Sequence, residues 1–326
     1  MSEIVLRPAV SEDVPALSAL FLAVYKRERS PEHYRWKYFL PQTLYPGPRL
    51  WIAMDGDRII GCAGMMTYPF WLDGAEKLGV STCEYHVLPE YRRRGIQSQL
   101  EGALFEALRP HEPLFALCLP NQNLTPLVRK IGYESLYQLG WMRQRVPRIA
   151  LWFRRPPSGR RVRIVETPGS ECDALWSRLK SRVNCCMALT SAGLRARYAL
   201  CPSSEYTYLV AEDAEGPIGL MVLGRKKLGK IHEAVIGYYL AASADDLTLA
   251  SLVDGAVRAA KAAGLPYVRA LVPEAKQHVD RWKAFGFRQE VGHYILHVCP
   301  VNGRPFPDAM RSPDTFTVHL GDQDFI

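Results

Sequence analysis

This sequence of 326 residues lacks the marks of several protein classes. Its eight cysteines include no CxxC pair, and adjacent Cys185 and Cys186 fit neither zinc-ligand spacing nor a disulfide framework. They read as mostly buried thiols of a cytoplasmic protein, with no metal site expected. The longest apolar stretch near the N-terminus, Ala16 to Tyr25, is short and follows Glu12 and Asp13 rather than a basic leader, so neither a signal peptide nor a membrane span is expected. Low-complexity tracts and long blocks of like charge are also missing, which argues against disorder.

What is present is an ordinary globular composition, 48% hydrophobic and 23% charged, in a chain long enough for two domains. Lys and Arg number 41 against 33 Asp and Glu, a formal net charge of +8. Such a balance suits nucleic acid, an anionic surface or a polyanionic small molecule. No aromatic–basic recognition motif accompanies it, so nucleic acid is not the expected partner.

The chain divides near "RRPPSGRR", Arg154 to Arg161, whose prolines, glycine and arginines read as a linker. The expected organisation is a first domain over 1–150, a linker over 151–162 and a second domain over 163–326. The two halves echo each other. Arg35, Lys37 and Tyr38 match Arg195, Arg197 and Tyr198 at an offset of 160, Ile60-Gly61 matches Ile218-Gly219 at 158, and Gly132 stands opposite Gly286. A period this long points to duplication of a whole domain. Each copy reads as an opening helix (Val14 to Arg27; Asp173 to Arg182), a run of antiparallel strands, a second helix (Ile96 to Leu108; Leu247 to Ala263), a strand, a short helix and a last strand. That order gives an α+β, mixed sandwich architecture.

Ser81 to Leu108 is the most informative segment. It is strand-like through Val87, Pro89 ends the pairing, and from Ile96 the apolar residues Ile96, Leu100, Leu104 and Leu108 recur at helical spacing. Between strand and helix lies Arg92-Arg93-Arg94-Gly95. A glycine-bearing turn at a helix mouth gathers backbone N–H groups on one point, where the helix dipole favours an anion such as a diphosphate.

Val87-Leu88-Pro89-Glu90-Tyr91 followed by Arg92-Arg93-Arg94-Gly95-Ile96-Gln97 resembles the coenzyme A signature of the GCN5-related N-acetyltransferase superfamily, with Gln97 in place of a small residue. The first strand and helix, and "PNQNLTPLVRKIGYES" with Asn121 and the closing pair Gly132-Tyr133, are similar to further superfamily segments, so the resemblance covers most of residues 3 to 145. It implies two tandem domains of this fold, each a mostly antiparallel, splayed sheet flanked by helices. It also implies an acyltransferase that moves an acetyl or other acyl group from acyl-CoA to a small-molecule amine by direct attack in a ternary complex.

The resemblance assigns the pantetheine arm to backbone groups of Val87 and Leu88. The pyrophosphate goes to Arg92, Arg93, Arg94, Gly95, Ile96, Gln97 and Ser98, with Asn121 nearby. For the general base, Glu84 is the first candidate, since a carboxylate in a partly desolvated cleft titrates nearer neutrality, and His86 is the second. Alternation puts Ser81, Cys83 and Tyr85 on one strand face and Glu84 and His86 on the other, a bulge apart. The family's tyrosine acid falls by count on Val128, leaving solvent, Tyr133 or Tyr137 for that role. In the second half the matching turn is "ASADDLTLA", without glycine or arginine, so no CoA site is expected there and a part in the acceptor cleft is. Trp36, Tyr38, Tyr198 and Trp282 are the aromatic candidates for that cleft. Two alternatives stand beside the acetyltransferase: a non-catalytic CoA-binding sensor or scaffold, and a long-chain acyl or aminoacyl transferase of the same fold.

Overall fold

The computed structural model describes residues 3–316 apart from 41–45, 48, 122–123, 148–159, 184, 189, 242–244, 302 and 304. Most of the expected linker therefore lies outside the described residues. The first half runs β1 (Ile4–Pro8), α1 (Val14–Tyr25), α2 (Pro31–Tyr38), β2 (Leu50–Asp55), β3 (Arg58–Leu72), β4 (Ala75–Val87), α3 (Ile96–Leu108), β5 (Phe115–Cys118), α4 (Thr125–Lys130) and β6 (Glu134–Arg145). The second runs β7 (Arg161–Val165), α5 (Ser170–Leu179), β8 (Cys185–Met187), α6 (Ser191–Leu194) continuing into a π-helical turn, β9 (Tyr206–Asp213), β10 (Gly216–Leu228), β11 (Ile231–Ala241), α7 (Asp246–Ala262), β12 (Tyr267–Pro273), α8 (Lys276–Ala284) and β13 (Arg288–Pro300). The α+β reading holds, and α3 spans the residues its apolar spacing marked out.

Local chemistry explains the ends that matter. Lys26 in the left-handed conformation stops α1, its N–H closing on the carbonyl of Leu22. Pro31 opens α2 while the Ser30 hydroxyl caps the N–H of His33. In the second half Asp245 caps α7, which stands where α3 stands in the first. Its Oδ1 accepts from the Thr248 amide at 2.9 Å and its Oδ2 from the Thr248 hydroxyl at 2.5 Å, so this helix mouth is filled by its own carboxylate.

The strands form one 13-stranded sheet in the order β1-β2-β3-β4-β5-β13-β6-β12-β11-β10-β9-β7, with β8 on β3. Both halves have the same plan, an antiparallel run ending in a parallel pair: β4 with β5 and β11 with β12. Beyond each parallel pair the strands cross over. β13, from the end of the chain, lies against β5, whereas β6 lies against β12, and the two pair antiparallel with each other. Each half thus completes its sheet with the other half's last strand.

Packing follows the same exchange. One hydrophobic core mixes Phe70, Phe115 and Leu117 with Trp176, Tyr238 and Leu296. Near the exchanged strands, buried Glu233 of β11 accepts from Arg143 of β6 at 2.5 Å and pairs with Arg269 of β12. Glu290 of β13 closes the lattice at 2.6 Å from Arg269 and 3.3 Å from Arg143. Four strands from both halves meet in one ionic cluster. All eight cysteines are buried thiols.

Candidate active site

The sheet opens where β4 and β5 part. They pair only from Gly79 to Ser81 with Phe115 to Leu117, after which β4 continues alone to Val87. Leu88 is tied to β3, its N–H donating to Ile60 at 2.9 Å. Ladder alternation then turns the amide and carbonyl of Val87, opposite Gly61, toward the open side. The pair Val87 and Leu88 is therefore split: only Val87 presents backbone groups to the splay, and its carbonyl accepts Arg92 Nε at 3.1 Å.

Past Leu88 the chain makes a 3-10 turn over Pro89–Tyr91 and enters the arginine loop. Arg93 (φ 63°) and Gly95 (φ 77°) are left-handed on either side of Arg94. Such alternation turns successive amides to one side, and Gly95 adopts it without a side-chain penalty. The first helical bond runs from Gln99 N–H to Gly95 at 3.1 Å. Among the described residues, the amides of Ile96, Gln97 and Ser98 have no backbone acceptor, and Arg92 to Gly95 are exposed. Gln97 occupies the position of the small residue, with its amide nitrogen buried and unpartnered among the described residues. Asn121 lies between β5 and α4, and its Oδ1 accepts the Leu124 amide at 3.1 Å just ahead of α4.

A bulge decides which β4 side chains meet. Cys62 pairs with His86 and Gly64 with Cys83, so Glu84 and Tyr85 together oppose Ala63, and Glu84 is left-handed at φ 56°. Simple alternation is lost. Cys83 and Glu84 both face α2, with Cys83 Sγ 3.2 Å from the Tyr38 hydroxyl and Glu84 Oε1 2.9 Å from Lys37 Nζ, whereas Tyr85 turns to α3.

On the α2 side, Glu84 is buried and ion-paired to Lys37 and Arg29, and its Oε2 lies 2.5 Å from His86 Nε2. His86 Nδ1 is 3.1 Å from the hydroxyl of Tyr25. Burial opposes ionisation of Glu84, but Lys37, Arg29 and His86 outweigh it and hold the carboxyl well below the usual carboxylate range. This corrects the expectation of a Glu84 base titrating near neutrality. Two cations already balance the charge, and the carboxylate serves to orient the imidazole. With Nε2 directed at Glu84, Nδ1 is the ring nitrogen left facing the Tyr25 hydroxyl.

On the α3 side, the Tyr85 hydroxyl lies 2.5 Å and the Tyr133 hydroxyl 3.1 Å from Oε1 of Glu101, a buried residue of α3. Burial pushes the Glu101 carboxyl up to about 7 against the pull of the two phenols. Tyr133 also reaches Thr82 at 3.4 Å. The three catalytic candidates are therefore not one constellation: Glu84 and His86 meet, while Tyr133 sits on the opposite face with Glu101. Tyr137 is committed elsewhere, donating to the Phe316 carbonyl at 3.0 Å.

Sequence reasoning missed Tyr25, Lys37, Tyr85 and Glu101 as site residues. A signal existed for Glu101, a charged residue on the buried stripe Ile96, Leu100, Leu104 and Leu108 of α3. A cleft of about 280 Å³ unites both sides, lined by Tyr25, Glu84, Tyr85, His86, Cys118 and Val128, with Lys226 of β10 reaching in from the second half. A second cavity of about 570 Å³ lies between the halves, where α2 meets α6 and the π-helical turn. Trp36 lines it, but Tyr38, Tyr198 and Trp282 belong to buried cores. Lys37 lines this cavity while its amino group bonds Glu84 of the cleft, so the two spaces share that ion pair.

Residues 5–136 match the profile of a family described as an acetyltransferase (GNAT) domain. No curated protein is significantly similar to the chain in sequence. Among solved structures, a GCN5-related N-acetyltransferase from Anabaena variabilis is similar with a TM-score of 0.68 at 11% identity, over 92% of this chain and 73% of that one. One from Kribbella flavida gives 0.63 at 14% identity, over 91% and 70%. Saccharomyces cerevisiae N-myristoyltransferase with bound myristoyl-CoA gives 0.61 at 13% identity, over 92% and 83%. At these identities the likeness establishes the fold. Residues 5–136 thus carry an acetyltransferase (GNAT) domain, and the chain, with a mostly antiparallel sheet that splays at β4 and β5 and helices flanking both halves, has the fold of the GCN5-related N-acetyltransferases it resembles.

Proposed function

We propose that this protein transfers an acetyl group from acetyl-CoA to an amine by direct attack, with the donor held by residues of the 1–150 segment. One observation carries the reading: amides with no backbone acceptor among the described residues, at the mouth of α3, adjoin a splay whose inner wall carries Tyr25, His86 and Glu84. The diphosphate binds the amides of Gly95 to Ser98, with Arg92, Arg93 and Arg94 adding attraction. The pantetheine arm lies along Val87 like an added strand, which brings the thioester to the bulge.

The attacking nitrogen must lose a proton. It passes that proton to the Tyr25 oxygen as the Tyr25 proton moves to Nδ1 of His86, and Glu84 stabilises the imidazolium that forms. Glu84 thus orients and His86 accepts. The acceptor lies against the cavity between the halves, lined by Trp36, Lys37, Arg49 and Arg197. Residues 163–326 act as a degenerate second copy that closes this cavity without binding CoA, since Asp245 occupies the corresponding helix mouth.

Calorimetric titration with acetyl-CoA tests the donor site. Saturable binding is expected, weakened at least tenfold by Gly95→Asp or Arg94→Glu, which place negative charge at the diphosphate. Thiol release across a panel of amines, amino acids included, then tests transfer. Binding unaffected by both substitutions, or no binding at all, overturns the reading.

A further inference from the structure

The cleft has a proton acceptor in the Tyr25–His86 pair, but transfer also needs a donor for the departing thiolate. Val128 stands at the count where the superfamily places a tyrosine, and it lines the cleft with no group able to donate. Tyr85 lines the same cleft from β4. The bulge that sends Glu84 toward α2 sends Tyr85 toward α3, where its hydroxyl lies 2.5 Å from Glu101 Oε1.

Glu101 is placed as a proton reserve. It is 1% exposed, and its Oε2 has no hydrogen-bond partner among the described residues. A carboxylate left in that state is costly, whereas a carboxyl group that keeps its proton is tolerated. No cation pairs with it among the described residues; the titratable groups facing it are Tyr85 of β4, Tyr133 beyond α4, Cys118 of β5 and Cys299 of β13. The Tyr85 hydroxyl and Glu101 Oε1 are in direct hydrogen-bond contact at 2.5 Å, so a proton can pass between them without an intervening water.

We propose that Tyr85, resupplied by Glu101, is the acid that protonates the CoA thiolate, in place of the tyrosine absent at Val128. The proposal rests on the acyl-CoA reading above. As the carbon–sulfur bond of the tetrahedral adduct breaks, its electron pair goes to sulfur. Sulfur takes the phenolic proton of Tyr85, and the phenolate oxygen takes the carboxyl proton of Glu101, leaving a carboxylate. The proton gained by the thiol balances the one the amine gave to the His86 pair, and solvent entering after CoA departs restores both groups. Tyr85 is the catalytic residue in this step and Glu101 a positioning residue.

Thiol release from acetyl-CoA, with amino acids or water as acceptor, is to be measured from pH 5.5 to 9 beside calorimetric acetyl-CoA binding. Tyr85→Phe is expected to lower kcat about 100-fold and leave the Kd for acetyl-CoA within about twofold. Glu101→Gln removes the fall in kcat that wild type shows as pH rises through about 7. Adding Val128→Tyr to Tyr85→Phe restores at least tenfold of the lost kcat. A Tyr85→Phe variant at wild-type kcat overturns the proposal, as does a Glu101→Gln variant that keeps the alkaline fall. Wild-type protein that does not bind acetyl-CoA instead overturns the donor reading itself, which separates the two failures.

Discussion

The indole N–H of Trp36 donates to the carbonyl of Ala196 across 2.7 Å, and these residues stand 160 positions apart, the offset at which the two halves repeat. The contact joins equivalent places in the two copies, α2 of the first and the π-helical turn of the second, and Arg197 lies over the same indole at 5.7 Å. The repeat therefore meets itself along a line that also borders the larger cavity.

Trp36→Phe removes the donor and leaves a buried carbonyl unsatisfied, a cost of about 1–3 kcal/mol. Because β6 and β13 are exchanged and the cores are shared, the halves should not unfold separately. A lower urea midpoint with an unchanged m value is expected. A second transition in the variant would show that the halves hold independently.

The bounds of α3 were readable because they rest on local periodicity: Ile96, Leu100, Leu104 and Leu108 mark one helix face whatever surrounds it, whereas the opening helix of the second half, expected over Asp173 to Arg182, runs from Ser170 to Leu179. Strand exchange was not readable, since nothing in the spacing of β6 or β13 distinguishes pairing with its own half from pairing with the other. The arginine loop was legible for the same local reason, a glycine at a helix mouth. The roles of Glu84 and Tyr85 were not, because one bulge reverses which face each side chain takes, and the sequence Cys83-Glu84-Tyr85-His86 does not announce it. Nor does it announce that Lys37 and Arg29, 47 and 55 residues away, fix the charge of Glu84.

The lattice around Glu233 makes the exchange rigid. Glu233→Gln leaves Arg143 and Arg269 with less than their full counter-charge in a largely buried place, and breaking such a cluster from one side costs about 3–5 kcal/mol. Replacing both arginines and both acids by apolar residues of similar volume should cost less than the single change. Chemical denaturation of the two variants decides the point.

His86→Gln keeps a side chain that can donate to Glu84 but removes the proton acceptor for Tyr25. With the proton relayed from Tyr25 to His86, kcat for amine acetylation falls about 10²–10⁴-fold while acetyl-CoA affinity is retained. Tyr25→Phe should show a smaller loss, since solvent can enter beside this half-exposed residue. Equal activity of wild type and His86→Gln would assign the proton transfer to water.

Two buried carboxyl groups, Glu84 in the cleft wall and Glu101 behind Tyr85, should oppose each other in pH dependence. Glu84 is held below its ordinary value, so its stabilising contribution is complete above the unfolded value of 4.5 and is lost as pH falls through the folded one. Glu84→Gln, which takes the Glu84 counter-charge from Lys37 and Arg29, is thus expected to destabilise by about 3–5 kcal/mol at pH 7 and by progressively less in acid. Glu101 is raised from 4.5 to about 7, so its favourable neutral form contributes fully below pH 4.5 and that contribution is lost as pH climbs through 7. Glu101→Gln, neutral at every pH, should therefore match wild type near pH 4.5 and exceed it by up to about 3 kcal/mol at pH 8. Urea midpoints from pH 4.5 to 8 measure both trends. A Glu101→Gln difference that stays flat with pH would mean the carboxylate is compensated in the fold, and the proton reserve assigned to it would not exist.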